Sequence, residues 1–283
     1  MAFGTALVTG ASSGIGHATA RHLDSLGFTV LAGVRSDDAA ARLAAEGSER
    51  LRPLILDVTD PESIARAVGA VREATADGGL SALVNNAGIA VSAPLEMVPI
   101  DQLRHQLEVN VIGQVAVTQA LLPLLRSARG RIVNVSSIGG RIALPLAGPY
   151  AASKFALEAV TDSLRRELRH LGVDVVAIEP GGVKTPIWGK GSETADAMLA
   201  DADPEVEGLY ADLTTALRAE AHRIATETGI EPSEVAEAIG RALTAARPRT
   251  RYLVGRDAKL RDKVARVLPD RALDALIART LKP

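Results

Sequence analysis

The chain has 283 residues, of which 47% are hydrophobic, so it can bury a large core. Its formal net charge of −2 excludes a generally basic surface of the kind that attracts nucleic acid or acidic lipid. The absence of cysteine excludes disulfides and a cysteine nucleophile, and the 5 histidines form no metal-binding motif, so we expect no metal site.

Short apolar runs alternate with longer helical patterns along the chain. The runs are mostly continuous rather than alternating in polarity, which is typical of strands buried on both faces. Helical crossovers between such strands predict one parallel, doubly wound α/β sheet in a single domain spanning 1–283. We predict strands at 6–10, 29–34, 51–58, 80–88, 130–137, 173–181 and 251–255, and helices at about 14–26, 38–46, 61–76, 101–127, 150–171 and 233–246.

Two segments bear on the location of the protein. The first ten residues, 1–10, have no charged leader and run directly into a strand pattern, so we expect no signal peptide. The uncharged stretch 109–125 contains Asn110, Gln114 and Thr118, and it is short and polar for a membrane span. We therefore expect a buried helix, no stable membrane insertion and a cytoplasmic protein.

A glycine cluster follows the first predicted strand. The segment 9–16 reads TGASSGIG and leads directly into the first helix. Glycines permit a tight turn and allow a pyrophosphate to approach the N–H groups at a helix N-terminus, where the helix dipole favours anions. The spacing G-x-x-x-G-x-G differs from the usual dinucleotide fingerprint. A purely structural turn is the alternative, and the position between strand and helix favours dinucleotide binding.

The ends of the second and third strands bear on which dinucleotide binds. Arg35 and Ser36 follow the second strand, and a guanidinium there suits the 2′-phosphate of NADP. The acids at 37–38 are the competing signal for NAD. Asp57, with Val58 beside it, is placed to meet the adenine ring, or Asp57 caps the next turn. We predict NADP, with NAD possible.

The segment 136–154 reads SSIGGRIALPLAGPYAASK. Ser137 and Ser136 end an apolar run, and Lys154 follows Tyr150 by one helical turn, so the two side chains share a helix face. Taken alone this spacing is common and does not separate a solvated pair from a catalytic site.

Six motifs occur together in one order. They are TGASSGIG at 9–16, NNAG at 85–88, Asn110, Ser137, Tyr150-x-x-x-Lys154 and PGGVKT at 180–185. In this order they resemble the short-chain dehydrogenase/reductase family over roughly residues 3–185. The resemblance implies a Rossmann-type sheet, a nicotinamide dinucleotide, and interconversion of an alcohol and a carbonyl. The segments TVLAGVRS, YAASKFALEAV and 232–255 resemble the branch that contains 17β-hydroxysteroid and retinol dehydrogenases.

The resemblance also implies roles for individual residues. Tyr150 matches the acid/base, Lys154 the ribose-binding partner, Ser137 the hydroxyl that polarises the carbonyl, and Asn110 the relay residue. One departure is Ser13, where many NADP-using members carry a basic residue. The predicted cofactor-binding residues are Gly10, Ser12, Ser13, Gly14, Ile15 and Gly16 in the first turn; Arg35, Ser36, Asp57 and Val58; Asn86, Ala87 and Gly88 on the adenosine side; Tyr150 and Lys154; and Pro180, Gly181, Val183 and Thr185 at the nicotinamide.

Side-chain chemistry agrees with these roles. A free tyrosine has a pKa of about 10, too high for a base near neutrality. One positive charge at about 4 Å contributes roughly 4 kcal/mol at an effective dielectric of about 20, so Lys154 is expected to lower the pKa of Tyr150 by up to about three units. Asn110, inside an apolar helix, is either a satisfied buried amide or a kink that holds water for a proton relay, and we favour the relay.

The tract 182–230 has few strand signals and several helical ones, and we predict that it forms a substrate lid. Trp188, the only tryptophan, either contacts a hydrophobic substrate there or packs the lid onto the core. In the loop before Tyr150, Ile142, Leu144 and Leu146 are expected to form one wall of an apolar pocket. The predicted substrate-binding residues are Ser137, Leu144, Tyr150 and Trp188.

The residues 256–283 form a predicted helical extension. Leu260, Val264, Val267 and Leu268 share one helical face, which we expect to dock on the core or on a second subunit rather than on a membrane. Family resemblance further implies a homodimer or homotetramer, through the long helices 101–127 and 150–171.

The function that these observations favour is an NADP-dependent oxidoreductase for a lipophilic alcohol, ketone or aldehyde of steroid, retinoid or fatty type. A 3-oxoacyl-thioester reductase of the same family is one alternative. A protein that senses NADP(H) without turnover is another, although the residues expected for catalysis are all present.

Overall fold

The computed structural model describes residues 4–200 and 203–280. Its strands are β1 (Thr5–Val8), β2 (Thr29–Val34), β3 (Leu51–Ile55), β4 (Ala82–Asn85), β5 (Arg131–Val135), β6 (Asp174–Pro180) and β7 (Arg251–Val254). They form one parallel sheet in the order β3-β2-β1-β4-β5-β6-β7. The predicted doubly wound sheet is thereby confirmed, and every strand except β2 is shorter than its predicted run.

The direction of the crossovers reverses beside β1. This strand pairs with β2 on one side and with β4 on the other, in both cases in parallel register. In doubly wound sheets, ligands bind beyond the carboxyl ends of the strands at such a reversal. The turns that follow β1 and β4 therefore border the expected cofactor site.

Helices cover both faces of the sheet. The helices are α1 (Gly14–Leu26), α2 (Asp37–Glu46), α3 (Pro61–Thr75), α4 (Ile100–Leu107), α5 (Gly113–Ser127), α6 (Gly148–Leu168), α7 (Ile187–Ala200), α8 (Pro204–Arg223), α9 (Pro232–Thr244), α10 (Arg256–Val267) and α11 (Asp270–Thr280).

The middle of β1 explains why the strand patterns are continuously apolar. Ala6 and Val8 point to one face, into a core completed by α1, α2 and α9. Leu7 points to the other face, into a core completed by α3, α5 and α6. All three side chains are fully buried. Because both faces are covered, neither set of alternate residues needs to be polar.

The helix predicted at 101–127 is interrupted. A π-helical turn, Glu108–Ile112, separates α4 from α5 and contains Asn110. Among the described residues, one helical stretch, 100–127, is long and apolar enough to cross a membrane, with a mean hydropathy of 1.3. The buried core helix of a globular protein can have the same length and composition. Here it packs against α3 and α6, so it contributes to the interior of this domain.

The tract 182–230 is helical, as its pattern predicted. It contains α7, α8 and a π-helical turn at Ile224–Thr228, and Val183 forms a parallel bridge with Ile230. Asp203 caps α8 by accepting a hydrogen bond from the N–H of Glu205 at 2.9 Å.

The C-terminal extension contacts the core through Ala258 of α10 and through Leu273 and Ile277 of α11, and docking of the face at 260–268 on a second subunit stays a prediction. Leu260 and Val267 are exposed, whereas Ala258 on α10 is fully buried against Ile138 and Ile142. Apolar and basic residues share the same sides of α10, so the helical pattern does not show which side is buried. The contacts with Ile138 and Ile142 show it. Residues 281–283 of the predicted extension lie outside the described part.

Candidate active site

The turn between β1 and α1 requires glycine at three positions. Gly10 and Gly14 have φ values of 66° and 56°, in the left-handed region that favours glycine. A Cβ on Gly16 would lie 2.2 Å from the carbonyl oxygen of Gly10. The backbone therefore folds back on itself too closely for any side chain at this position, and the turn presents its N–H groups instead.

Thr9 and Asn86 hold this turn against the end of β4. The Thr9 Oγ1 accepts hydrogen bonds from the N–H groups of Asn86 at 2.9 Å and Ala87 at 3.0 Å. The Asn86 Nδ2 donates to the carbonyl oxygens of Thr9 at 2.9 Å and Gly10 at 3.1 Å. Asn86 and Ala87 are predicted to lie on the adenosine side of the cofactor. The side chain of Asn86 has a further task, which is to brace the glycine turn.

The residues of this turn fit a dinucleotide pyrophosphate. The first N–H groups of a helix have no partner within it, and α1 begins at Gly14. Ser12 and Ser13 are exposed, and the Ser13 hydroxyl does not cap α1, so both side chains are open to an anion. Ile15 lines the neighbouring cavity. The positive end of the helix and the absence of a Cβ at Gly16 together form a cradle for phosphate.

Arg35 and Ser36 lie where the sequence placed them, directly after β2 and at the start of α2. Arg35 is exposed. Ser36 caps α2, because its Oγ accepts a hydrogen bond from the N–H of Ala39 at 3.4 Å. The acids at 37–38 lie in the first turn of that helix, where they favour its dipole.

Asp57 takes part in a local turn. Its Oδ1 accepts hydrogen bonds from the N–H of Thr59 at 2.9 Å and from the Thr59 hydroxyl at 2.7 Å. The backbone hydrogen bond from Thr59 is the main cause that lowers the pKa of Asp57, and the charge of Arg35 lowers it further. Asp57 therefore caps the turn at Thr59, which was one of the two roles predicted for it. Arg35 is close enough for its positive charge to act on the Asp57 carboxylate. Val58, beside it, is buried.

Ser137, Tyr150 and Lys154 meet at the carboxyl end of β5. Ser137 caps the short turn Ile138–Gly140, and its Oγ accepts from the N–H of Gly139 at 3.0 Å. Ser137 and Tyr150 both line one cavity and are hydrogen-bonded to each other. The Nζ of Lys154 lies 5.6 Å from the centre of the Tyr150 ring and donates to the carbonyl oxygen of Val135 at 2.9 Å.

The expected effect of Lys154 on Tyr150 is not seen in this structure. Burial raises the pKa of Tyr150, and the hydrogen bond with Ser137 only partly offsets it. Burial also lowers the pKa of Lys154 to about 8, against the opposing charge of Glu158. Both groups are removed from water, which disfavours both charged forms, and this desolvation outweighs the attraction expected between a tyrosinate and an ammonium at short range.

Asn110 is a satisfied amide inside the π-helical turn. Its Oδ1 accepts from the N–H of Ile89 at 2.9 Å, and its Nδ2 donates to the carbonyl oxygen of Ile89 and the hydroxyl of Ser153, both at 3.0 Å. The helix is distorted at this residue into a π-helical turn, in agreement with the predicted kink. The Asn110 side chain joins the segment after β4 to α6. Gly88 lies against it, since a Cβ there would be 3.3 Å from the Asn110 Oδ1.

The segment after β6 closes the site. Thr185 lies against the glycine turn, because a Cβ on Gly14 would be 3.0 Å from the Thr185 Cγ2. Asp257 of α10 accepts a hydrogen bond from the N–H of Gly182 at 2.8 Å, next to Pro180 and Gly181. Val183 is buried. The segment predicted to meet the nicotinamide is thus positioned by a C-terminal residue that no sequence motif indicated.

A cavity of about 250 Å³ adjoins Ser137 and Tyr150. Leu144 and Trp188 line it, as predicted, together with residues of α7, α8 and α10. Trp188 also donates a hydrogen bond from its Nε1 to the carbonyl oxygen of Val183 at 2.7 Å, so it both holds α7 against the segment after β6 and faces the cavity. Tyr210 lies elsewhere, on the exterior, and donates to Glu96 Oε2 at 2.7 Å.

The arrangement of these residues agrees with what related proteins show. The sequence matches the family described as short chain dehydrogenase over residues 4–196. The chain belongs to this family. This short-chain dehydrogenase is 42% identical over 282 residues to Retinol dehydrogenase 16 of Mus musculus, with 98% of this chain and 88% of that protein covered.

Two further relatives bear on the cofactor. The chain is 38% identical over 283 residues to NADPH-dependent 3-dehydrocapnine reductase of Ornithobacterium rhinotracheale, covering 98% of this chain and 97% of that protein. A short-chain dehydrogenase/reductase from Burkholderia phymatum, solved in complex with NAD, matches with a TM-score of 0.78 and 26% identity, over 97% of this chain and 94% of that one. The predicted resemblance to the family and to its retinol dehydrogenases is confirmed, and the protein is an NAD(P)-dependent oxidoreductase that acts on CH–OH groups.

The short-chain dehydrogenase motifs did not indicate every residue that shapes the site. Thr9 lies within the glycine motif, and the available signal was a polar residue directly after the apolar run of β1. Asp257 and Arg261 reach the site from α10, beyond the matched residues, and no local pattern marks them. Among the described residues, no group of three acidic or histidine side chains is placed to hold a metal ion.

Proposed function

We propose that this short-chain dehydrogenase interconverts a ketone or aldehyde and an alcohol on a lipophilic substrate, with NADP as the preferred cofactor. The observation that carries the proposal is the position of Ser137 and Tyr150 on the wall of a largely apolar cavity. Ile142, Leu144 and Trp188 supply a surface that a fatty or polycyclic molecule would cover.

The side chains divide the chemistry among them. A bound nicotinamide supplies or accepts the hydride. In the reducing direction, the Tyr150 hydroxyl donates a proton to the carbonyl oxygen, and its raised pKa keeps that proton in place near neutrality. The Ser137 hydroxyl donates a hydrogen bond to the same oxygen as negative charge develops there. Lys154, protonated below pH of about 8, supplies positive charge beside the tyrosine.

The preference for NADP is supported by Arg35. Its guanidinium follows β2 and is exposed, which leaves it free to pair with a 2′-phosphate. The exposed acids at 37–38 lie in the first turn of α2, where the helix dipole favours their charge, and they are the competing signal for NAD. One relative in the comparison is named for its use of NADPH.

The class of substrate is supported by the names of relatives. A retinol dehydrogenase and a dehydrocapnine reductase are both similar to this chain over nearly its whole length. Both names describe the interconversion of an alcohol and a carbonyl group. The apolar lining of the cavity in this protein suits a hydrophobic molecule. We infer an alcohol or carbonyl within a hydrocarbon framework.

Replacing Tyr150 tests the mechanism. We expect Tyr150→Phe to lower kcat by at least about 100-fold, because general acid catalysis contributes about 10²- to 10⁴-fold. NADPH binding, followed by nicotinamide fluorescence, should be retained, since the ring and the hydrogen bond of Lys154 to Val135 remain. Rates are measured by nicotinamide absorbance with a panel of retinoid, steroid and long-chain ketones or aldehydes.

Tyr210→Phe is the matched control, because this tyrosine hydroxyl contacts Glu96 on the exterior. It should turn over substrate as the wild type does. A Tyr150→Phe variant with an undiminished rate would contradict the mechanism. Binding of NADPH without turnover of any compound in the panel would contradict the proposed function.

A further inference from the structure

Arg261 reaches the substrate cavity from the packed face of α10. Ala258 and Ala265 precede and follow it by about one turn and pack with Ile138 and Ile142, just after Ser137. Arg261 itself is half-buried and lines the cavity. Arg261 is therefore part of the pocket wall, unlike the exposed basic residues Arg256, Lys259 and Lys263 of the same helix.

The other charged residues on this wall are already paired. Arg218 forms an ion pair with Asp196, and Glu220 forms one with Arg223. The remaining wall is dominated by apolar side chains such as Leu144 and Trp188. Among the described residues that line the cavity, Arg261 is thus the charged residue without an oppositely charged partner.

Arginines with comparable burial elsewhere in the described chain all have carboxylate partners. These pairs are Arg131–Asp174 at 2.9 Å, Arg141–Glu179 and Arg165–Asp162 at 3.0 Å each, and Arg251–Asp162 at 2.7 Å. No described residue forms a hydrogen bond or ion pair with Arg261. The two acids nearest to it along α10 are engaged, Asp257 with the N–H of Gly182 and Asp262 with Arg266.

A partly desolvated guanidinium without a partner is costly, and an anion that enters the same space relieves that cost. The planar arrangement of five donors suits the two oxygens of a carboxylate. An apolar wall with one guanidinium favours molecules that have a hydrocarbon body and one acidic group over molecules of the same shape without that group.

We propose that Arg261 binds a carboxylate or similar oxyanion on the substrate, so that the substrate class is a lipophilic alcohol or carbonyl compound that also carries an acidic group. This inference rests on the proposed function, since it concerns the same cavity. Ile142 and Leu144 contact the hydrocarbon part, and Arg261 selects by charge and sets how far the molecule enters.

Binding of two simple probes tests the inference without requiring turnover. Calorimetric titration of NADPH-loaded protein with decanoate and with decanol compares molecules of equal chain length that differ in charge. The wild type should bind decanoate more tightly. In Arg261→Met, decanoate affinity should fall about 10- to 100-fold more than decanol affinity, the range expected when a hydrogen-bonded charge partner is lost.

Lys263→Met is the matched control, because Lys263 is exposed on the same helix and carries the same charge. It should leave the preference for decanoate as in the wild type. Arg261→Lys, which keeps the charge and loses the planar fork, should restore part of the preference. The inference is overturned if wild-type protein binds decanol as tightly as decanoate, or if Arg261→Met and Lys263→Met change the preference equally.

Kinetics separate this inference from the proposed function. Turnover is compared for a long-chain oxo acid and its methyl ester. Oxidation of NADPH with both, at equal kcat/KM, would uphold the proposed function and overturn the role of Arg261. Preference for decanoate that depends on Arg261, without turnover of any carbonyl compound, would uphold the anion site and overturn the proposed function.

Discussion

The protonation of Lys154 is set by its surroundings. The residue is 4% exposed, and its Nζ donates a hydrogen bond to the Val135 carbonyl. The ammonium has lost most of its hydration, so its pKa falls from 10.5 to about 8 despite the nearby charge of Glu158. The residue that supplies charge to Tyr150 therefore does so at a cost to the folded state.

This cost predicts a pH dependence of stability. Below pH of about 8 the buried ammonium destabilises the folded state, and above pH 10.5 the amine is neutral in both states. The free energy of unfolding of the wild type, relative to Lys154→Met, should rise between these values by about 3 kcal/mol. Urea titrations across this range measure the difference. A difference that does not change with pH would contradict the buried ammonium.

Arg35 is predicted to select the cofactor. Arg35→Asp should lower the ratio of kcat/KM for NADPH to that for NADH by about 10- to 100-fold, because a charge-assisted contact is lost and a repulsive one is introduced. Initial rates with both cofactors provide the ratio. Arg42→Asp changes the same charge at another exposed position, on α2, and should leave it unaltered. Equal effects of the two substitutions would count against Arg35.

Several elements are joined by charges around Glu179, near the end of β6. Its Oε1 accepts from Arg141, in the loop after Ser137, and from Arg251 on β7, both at 3.0 Å. Arg251 also contacts Glu158 on α6 at 3.1 Å, one turn beyond Lys154. Burial raises the pKa of Glu179, and its hydrogen bond with Arg141 opposes this. The cluster ties the wall of the cavity to α6.

Glu179→Gln should destabilise the protein by about 3 kcal/mol, because removal of one member of a buried ionic cluster leaves the others uncompensated. Glu237→Gln removes an exposed partner of Arg241, 3.5 Å away, and should cost less than about 1 kcal/mol. Denaturant unfolding at neutral pH compares the two. Equal losses would show that the cluster around Glu179 contributes no more than a surface pair.

The assembly of the whole molecule is expected to depend on the long helices beside the sheet. Ile112, at the junction of α4 and α5, is 53% exposed, and Phe155 on α6 is 45% exposed. These apolar side chains lie on the helices that family resemblance assigns to subunit contacts. They are candidates for the core of such an interface, where burial of apolar area drives association.

We expect the protein to sediment as a dimer or tetramer at micromolar concentration. The double substitution Ile112→Glu and Phe155→Glu should shift it toward monomer, because charges would be buried in the interface. Leu209→Glu, at an exposed apolar position on α8, should not change the sedimentation coefficient. A wild-type protein that sediments as a monomer would contradict the prediction.

Much of the architecture was accessible from local patterns. Continuous apolar runs separated by helices predicted the parallel sheet, because strands covered on both faces need no polar alternation. The glycine turn was also accessible, since positive φ angles and the close approach of Gly16 to Gly10 restrict the residue type locally. The spacing of Ser137, Tyr150 and Lys154 indicated a catalytic site only when it was combined with the other motifs in their order.

The sequence by itself determined the fold, because strand and helix periodicity is local, and its motifs in their order indicated the family. The tertiary structure alone decided which face of α10 is covered, that Asp257 holds Gly182, and that Arg261 enters the cavity. It also reversed the expected effect on Tyr150, since a pKa depends on burial as well as on the nearest charge. Such contacts join residues far apart in the chain, and desolvation is a property of the packed molecule.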